Sequence, residues 1–271
     1  MELAYFADEI TKEDFGEAVR QGVEAGATGI ELRNGIWGKR IAEIDDEDVK
    51  RVQDVLAKYG VKILSIGSPF GKCAHDDEGE KAQHQKIFDR MIALSEAFDT
   101  RVIRSFSLWN PLRKKGEDRS NRPDIDDYMD VIVPFFEPAV KKALDADVVI
   151  SIENEGATLA GTCAEARKVA DALGNPASFT YCWDVNNGIG CGENALPDGY
   201  EQIKGNITHL HVKPNPDKEL DPIRNGDLKY EDLLKTLLAD GYTGAASIEH
   251  WGSPELMLKG VRLLRGVLDS L

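Results

Sequence analysis

The chain has 271 residues, of which 42% are hydrophobic and 30% charged, so it is long enough for one globular domain with a full-sized core. Its formal net charge of −15 argues against a nucleic-acid partner and against a membrane surface, because both are usually bound through basic residues. No apolar run approaches ~18 residues, and no basic region or hydrophobic signal core follows Met1, so we expect a cytoplasmic protein.

Apolar runs typical of strands alternate with amphipathic helical patterns along the first half of the chain. We predict strands over 3–6, 29–32, 61–66 and 101–106. We predict helices from about Thr11, around 49–59, over 80–98 and, after a long loop, up to Ala146. Asp45 or Asp46 can cap the second helix and Gly60 can end it.

The second half repeats this alternation more tightly. We predict strands over 148–153, 179–184, 207–212 and 245–249, each followed by a helix, at 162–173, near 197–205, at 230–240 and in the last 20 or so residues. Eight alternating strands and helices favour a parallel sheet closed into a (β/α)8 TIM barrel, as a single domain over 1–271. No glycine-rich dinucleotide fingerprint follows the first strand, which counts against an open doubly wound sheet.

Four successive strands end in residues that can bind a metal: Glu153, Asp184, His211 and Glu249. The strands of such a barrel open their C-terminal ends onto one face, so we expect these side chains to converge there. Three carboxylates and one imidazole suit Mn²⁺, Mg²⁺, Co²⁺ or Zn²⁺. The alternative is that acidic strand ends only begin polar loops or cap the following helices.

Strand alternation places two more side chains on the side of His211. Lys213 is a candidate to bind a substrate oxygen or to neutralise an enediolate. His209 lies one layer deeper, and we interpret it as a core or supporting residue whose hydrogen bonds are satisfied.

Nearly the whole chain resembles the xylose isomerase-like TIM barrels, in particular the sugar phosphate isomerase/epimerase group, and the resemblance is most specific over 148–250. The matching motifs are Ser151-Ile-Glu-Asn-Glu, Cys182-Trp-Asp-Val-Asn-Asn, His209-Leu-His-Val-Lys and Gly241-Tyr-Thr-Gly-Ala-Ala-Ser-Ile-Glu-His. The resemblance implies that Glu153, Asp184, His211 and Glu249 bind one divalent metal per chain, Mn²⁺ first among the options. It also implies that the two glutamates act as catalytic acid and base.

The chain departs from this family pattern at two positions. Asn187 stands where similar enzymes usually have a histidine that contacts substrate; it can form hydrogen bonds but does not titrate near neutral pH. In the loop after the seventh strand, the chain has Arg224-Asn225-Gly226 where similar enzymes often have Gly-x-Gly. Arg224 is a candidate to grip an anionic or hydroxylated substrate, and the alternative is a solvated loop arginine.

The loop over 107–127 follows a barrel strand and therefore belongs to the functional face. Its Trp109 can stack on the C–H face of a sugar, or simply pack. The loop also contains a basic cluster made of Arg113, Lys114, Lys115, Arg119 and Arg122. A phosphate-bearing substrate, a contact in a homo-oligomer and plain solubility each account for this cluster.

The leading hypothesis is a metal-dependent isomerase or epimerase that acts on a sugar, sugar phosphate or cyclitol through an enediolate, with Glu153 and Glu249 as acid and base. The alternatives are a metal-dependent dehydratase similar to the inosose dehydratases, and a barrel that binds a sugar without catalysis. The apurinic endonuclease branch of the family needs three metals and more histidines, so Asn187 and the net charge disfavour it.

Overall fold

The computed structural model describes residues 1–113, 121–213, 229–250 and 252–271. The strands are β1 (Glu2–Tyr5), β2 (Gly29–Leu32), β3 (Lys62–Ile66), β4 (Val102–Ser105), β5 (Val149–Glu153), β6 (Phe179–Asp184), β7 (Ile207–Val212) and β8 (Ala245–Ile248). The helices are α1 (Phe15–Glu24), α2 (Asp46–Tyr59), α3 (Glu78–Ala97), α4 (Met129–Asp145), α5 (Cys163–Ala172), α6 (Val185–Gly190), α7 (Tyr200–Ile203), α8 (Tyr230–Ala239) and α9 (Pro254–Ser270). The predicted alternation of strands and helices is therefore present along the described chain.

The ends of α2 follow the capping residues in its sequence. The Asp45 side chain accepts hydrogen bonds from the backbone N–H groups of Glu47 and Asp48, and Gly60 ends the helix at φ 66°. The prediction for α1 was too early at Thr11, because the Asp14 side chain accepts from the N–H of Glu17 and the helix begins at Phe15.

The region after β6 differs from the prediction. Helix α6 begins directly at the strand end, where the Asp184 side chain accepts a hydrogen bond from the N–H of Asn187. Its sequence contains two glycines and no amphipathic stripe, so periodicity could not reveal it. In place of the one short helix expected near 197–205, the structure has a kinked segment over Ala195–Gly199, in which the Leu196 backbone is extended, followed by α7.

The chain divides into two compact units. The first comprises Met1–Gly67, Leu94–Thr100 and His209–Leu271, and the second comprises Ser68–Ala93 and Arg101–Thr208. In the first unit β8 pairs with both β1 and β7, and β2 pairs with β3; in the second unit β5 pairs with both β4 and β6. Every one of these registers is parallel. A further parallel bridge joins Phe6, just after β1, to Glu31 of β2.

Each unit has its own apolar packing. In the first unit, the buried residues Met257, Val261 and Leu264 lie on one face of α9, as their helical spacing predicts. The second unit contains a cluster of aromatic rings with centroids 4.7 to 5.8 Å apart, formed by Phe70, Phe88, Phe135, Phe136 and Phe179. Within the described residues, no helix is both long and apolar enough to span a membrane.

Candidate active site

His211 of the first unit lies in a buried polar network. Its Nε2 is 3.0 Å from Oε2 of Glu31, and Nε2 of His209 is 2.8 Å from the same oxygen. The other ring nitrogen of His211, Nδ1, faces Oε2 of Glu249 at 3.7 Å. The ring also packs edge-on against Phe6, with centroids 5.5 Å apart. Glu31, His209 and His211 form a buried group of potential metal ligands whose atoms lie within 4.8 Å of one another.

Glu249 follows β8 in the first unit and is held by a buried arginine. Nη1 of Arg33 donates to Oε1 of Glu249 at 2.8 Å, while the other guanidinium nitrogens bind Asp8 and Glu9 at 3.0 to 3.3 Å. The guanidinium carbon lies 4.0 Å from the ring centroid of Phe6. Burial by itself lowers the pKa of Arg33, but the neighbouring carboxylates outweigh burial and raise that pKa well above its ordinary value. Arg33 is therefore a permanent cation beside Glu249.

Lys213 lies next to Glu249, as expected for a residue two positions after His211. Its Nζ is 3.1 Å from Oε2 of Glu249. Its backbone N–H donates to the Tyr230 hydroxyl at 2.9 Å, which ties the end of β7 to the first residue of α8. Arg224 lies outside the described residues, within the gap 214–228.

Glu153 ends β5 in the second unit, and its two carboxylate oxygens have different neighbours. Nδ2 of Asn187 donates to Oε1 at 3.1 Å. Nη1 of Arg104, from the adjacent strand β4, lies 3.4 Å from Oε2. Arg104 and Glu153 are both almost fully buried, so their opposite charges meet with little solvent screening. Asn187 is thus in contact with one of the two glutamates that the sequence singles out.

Asp184 is positioned by its main chain as well as by its place at the end of β6. The side chain of Asn154 bridges to both polar groups of the Asp184 backbone: Nδ2 donates to the carbonyl and Oδ1 accepts from the N–H, each at 2.8 Å. Oδ1 of Asp184 also caps α6 through the N–H of Asn187. The clamp links the ends of β5 and β6 within the second unit.

Trp109, a candidate to stack on a sugar, lies in the loop after β4. Its backbone forms an antiparallel bridge with Thr158, and its N–H donates to the carbonyl of Cys73. The indole is half-buried, and the cations of Lys72 and Arg113 lie 5.9 and 5.5 Å from its ring centroid. These contacts of Trp109 are with residues of neighbouring loops in the second unit. Stacking on a sugar stays a prediction.

The basic cluster of the same loop is only partly described, because Lys114, Lys115 and Arg119 lie outside the described residues. The Arg122 side chain is only 7% exposed and binds other groups of the protein. Its guanidinium pairs with Glu165 at 2.9 Å and donates to the carbonyls of Gly156, Thr158 and Leu159. Arg122 therefore joins two loops. These contacts explain why a cation is present at this position, and a phosphate group of a substrate is not needed to explain it.

Sequence reasoning missed charged residues that contact the predicted site residues, among them Glu31, Arg33 and Arg104. A signal for Glu31 was present, because it is a carboxylate inside the apolar run of β2, whose four residues are all buried. Arg104 similarly interrupts the apolar strand β4. The signal for Arg33 is weaker, since a charged residue just after a strand is common at the surface.

The protein has parallel strands that alternate with helices, and buried carboxylates and imidazoles lie at its strand ends. These features are those of α/β-barrel proteins with potential metal ligands at the strand ends. A family model described as xylose isomerase-like TIM barrel matches residues 19–267. The chain belongs to this family, and the predicted family and (β/α)8 fold class are confirmed. A comparison with proteins of curated function finds no match.

Solved structures share this fold over nearly their whole length. The 3-keto-D-glucoside 4-epimerase YcjR from E. coli has 15% identity and a TM-score of 0.74, covering 99% of this chain and 98% of that one. The probable 3-DHS dehydratase AsbF from Bacillus anthracis has 15% identity and a TM-score of 0.74, with coverage of 97% and 98%. A xylose isomerase-like TIM barrel protein from Mycobacterium smegmatis, in complex with magnesium, has 18% identity and a TM-score of 0.74, with coverage of 99% and 96%. At such identities the likeness establishes the fold alone.

Proposed function

We propose that this protein is a divalent-metal-dependent isomerase or epimerase of a sugar, sugar phosphate or cyclitol. In this proposal Glu153, Asp184, His211 and Glu249 hold one metal ion, because the strand ends of a TIM barrel open onto one face. The epimerase and the magnesium complex among the similar structures support this choice. Mn²⁺ is the first ion to test, with Mg²⁺, Co²⁺ and Zn²⁺ as alternatives.

The four proposed ligands suit a divalent cation in their burial and in their chemistry. Each is at most 4% exposed. Burying a carboxylate costs free energy unless hydrogen bonds or cations compensate it. Arg33 and Arg104 offset part of this cost at Glu249 and Glu153, and a divalent ion would offset it for all three carboxylates. Carboxylate oxygens with one imidazole nitrogen match hard and borderline divalent metals.

The observation that carries the proposal is that the Oε1 atom of each glutamate accepts a hydrogen bond from a neighbouring side chain. Asn187 donates to Oε1 of Glu153, and Arg33 donates to Oε1 of Glu249. General acid–base groups need a fixed direction of approach to the carbon whose proton they move, and such contacts provide it.

The chemistry is the removal and return of a proton on the carbon beside a carbonyl. A bound divalent cation stabilises the negative charge that develops on the carbonyl oxygen when that proton leaves. One of Glu153 and Glu249 takes the proton, and the other returns one to the opposite face or to the neighbouring carbon. Lys213 binds a substrate oxygen beside Glu249, and Asn187 both orients Glu153 and contacts substrate. Trp109 and Arg224 complete the proposed substrate contacts.

The test is deuterium incorporation. The protein is incubated with Mn²⁺ in D₂O with ketoses, ketose phosphates and inososes, and at least one compound should gain deuterium beside its carbonyl. Glu153→Gln and Glu249→Gln should each lower turnover by roughly 10² to 10⁴. Glu155→Gln is the matched control, because Glu155 lies at the same strand end but its Oε1 accepts from the N–H of Ala157.

The outcomes separate the proposed reaction from its rivals. Water loss that accompanies exchange would replace the isomerase with a dehydratase, a reaction compatible with the fold likeness to AsbF. Equal exchange in the wild type and in both glutamine variants would remove the glutamates from the mechanism. A protein that binds sugar without metal and without exchange would be a non-catalytic barrel.

A further inference from the structure

We propose that Glu31 is a positioning residue that fixes the ring of His211 for metal binding, a role that rests on the metal site proposed above. Glu31 lies in β2, far from His211 in sequence, and is completely buried. Its Oε2 contacts Nε2 of His211 at 3.0 Å and Nε2 of His209 at 2.8 Å. One carboxylate oxygen therefore joins two imidazoles of the same strand.

The contacts determine which nitrogen of each ring carries hydrogen. An ionised carboxylate can only accept hydrogen bonds, so each Nε2 within hydrogen-bond distance of Glu31 is the N–H donor. In a neutral imidazole the other nitrogen, Nδ1, then presents a lone pair. For His211 this nitrogen faces Glu249, another proposed ligand, at 3.7 Å. Glu31 thus selects the tautomer of His211 in which Nδ1 can bind the metal.

The ring is also held in place by packing. Phe6 lies against it edge-on, with centroids 5.5 Å apart. The backbone of Phe6 pairs with that of Glu31, and Glu31 pairs with Ser65 of β3, so the carboxylate projects from a fixed point of the sheet. A carboxylate behind a metal-binding histidine usually orients the ring and raises its basicity, and removing it costs 10- to 100-fold in metal affinity or activity.

His209 has a corresponding role in this network. Its Nε2 donates to the same oxygen, and its ring lies edge-on to that of His211 with centroids 5.6 Å apart. This second hydrogen bond keeps the Glu31 carboxylate close to His211, so His209 helps to position Glu31. The distances of 2.8 and 3.0 Å are ordinary hydrogen-bond lengths, so the contacts need no ion between these three residues.

The first measurement is metal affinity by calorimetry on metal-free protein titrated with Mn²⁺. Glu31→Ala should weaken binding by about 10- to 100-fold. Glu31→Gln should weaken it less, because the amide keeps an acceptor oxygen but loses the charge that strengthens the hydrogen bonds. Ser65→Ala is the matched control: Ser65 is the buried cross-strand neighbour of Glu31, and removing its hydroxyl should leave the affinity unchanged.

The second measurement needs neither metal nor activity. The chain has five histidines, so long-range ¹H–¹⁵N spectra can assign the tautomer of each ring in the metal-free protein. His209 and His211 should carry hydrogen on Nε2 in the wild type and in Glu31→Gln, whereas Glu31→Ala should give a mixture for His211. If Glu31 only fills space, the tautomers and the affinity will not change, and only the melting temperature will fall.

The results distinguish this inference from the proposed function. Loss of metal in His211→Ala with full affinity in both Glu31 variants would overturn the role of Glu31 alone. Full affinity in His211→Ala would overturn the metal site and, with it, this inference. Two Mn²⁺ ions per wild-type chain, one of them lost in Glu31→Ala, would make Glu31 a metal ligand and overturn its positioning role. Should Glu31→Ala fail to fold, Glu31→Gln and the wild-type tautomers still decide.

Discussion

The two glutamates proposed for proton transfer are held in different ways. Among the described neighbours of Glu249, in the first unit, are the nitrogen-bearing side chains of Arg33 at 2.8 Å, Lys213 at 3.1 Å and His211 at 3.7 Å. Arg33 comes from a segment 216 residues away in sequence.

Glu153, in the second unit, accepts a hydrogen bond of 3.1 Å from the side-chain amide of Asn187, which is only 34 residues away in sequence. Its other oxygen lies 3.4 Å from Arg104. Glu249 is thus oriented mainly by a cation from a distant part of the sequence, whereas Glu153 is oriented mainly by an amide from the end of the neighbouring strand. We therefore expect changes around Glu249 to affect stability most, and changes beside Glu153 to affect turnover.

The largest effect should come from Arg33→Ala. Arg33 binds Asp8, Glu9 and Glu249, all with side chains at most 7% exposed, so its loss leaves three buried carboxylates without their shared cation. Breaking a buried ion pair costs about 3 to 5 kcal/mol of unfolding free energy. Urea unfolding followed by circular dichroism measures the change. Arg20→Ala is the control, since Arg20 pairs with Glu17 and Glu24 at the surface and its removal should have a much smaller effect. Equal effects of the two variants would contradict the comparison.

Asn187→Ala should lower kcat or raise KM without changing metal content. It removes a hydrogen bond to the Glu153 carboxylate, and bonds to charged groups contribute about 1.5 to 3 kcal/mol, or roughly 10- to 150-fold in rate. Steady-state kinetics and metal analysis measure the two quantities. The control is Asn206→Ala, which loses an amide contact to the carbonyl of Phe179 at the opposite end of β6. If both variants retain wild-type kinetics, Asn187 is only a spacer.

Asn154→Ala tests the clamp on the backbone of Asp184. Two hydrogen bonds of 2.8 Å are lost, and each contributes about 0.5 to 1.5 kcal/mol, so unfolding should become easier by roughly 1 to 3 kcal/mol. The metal dissociation constant should also rise, because Asp184 is no longer held in place. Unchanged unfolding together with unchanged metal binding would show that the clamp contributes nothing.

Tyr230→Phe should have the smallest effect. The hydroxyl accepts the backbone N–H of Lys213, and its loss should cost about 0.5 to 1.5 kcal/mol of unfolding free energy. Turnover should fall only slightly, because the contact of Lys213 Nζ with Glu249 does not involve the hydroxyl. A loss of turnover as large as that of Glu249→Gln would place Tyr230 in the reaction and contradict a purely supporting role.

Several features were predictable because they depend on local order. Periods of two and 3.6 residues identify the strands and helices, and the residue type at a strand end follows directly from the sequence. The capping of α2 by Asp45 and its end at Gly60 belong to this group. Helix α6 was not predicted because it has no apolar stripe, and its first turn is stabilised by a hydrogen bond to the Asp184 side chain.

The family, the (β/α)8 order of the elements and the residue types at the strand ends could be predicted from the sequence, since each depends on short motifs and local patterns. The charge pairs could be seen only in the folded protein: Glu31 joins His209 and His211, and Arg33 contacts Glu249, which is 216 residues away in sequence. A buried charge has many possible partners in a sequence of 48 acidic and 33 basic residues. The partner is chosen by the strand order and by the low polarity of the interior, where only a charge in contact compensates the cost of burial.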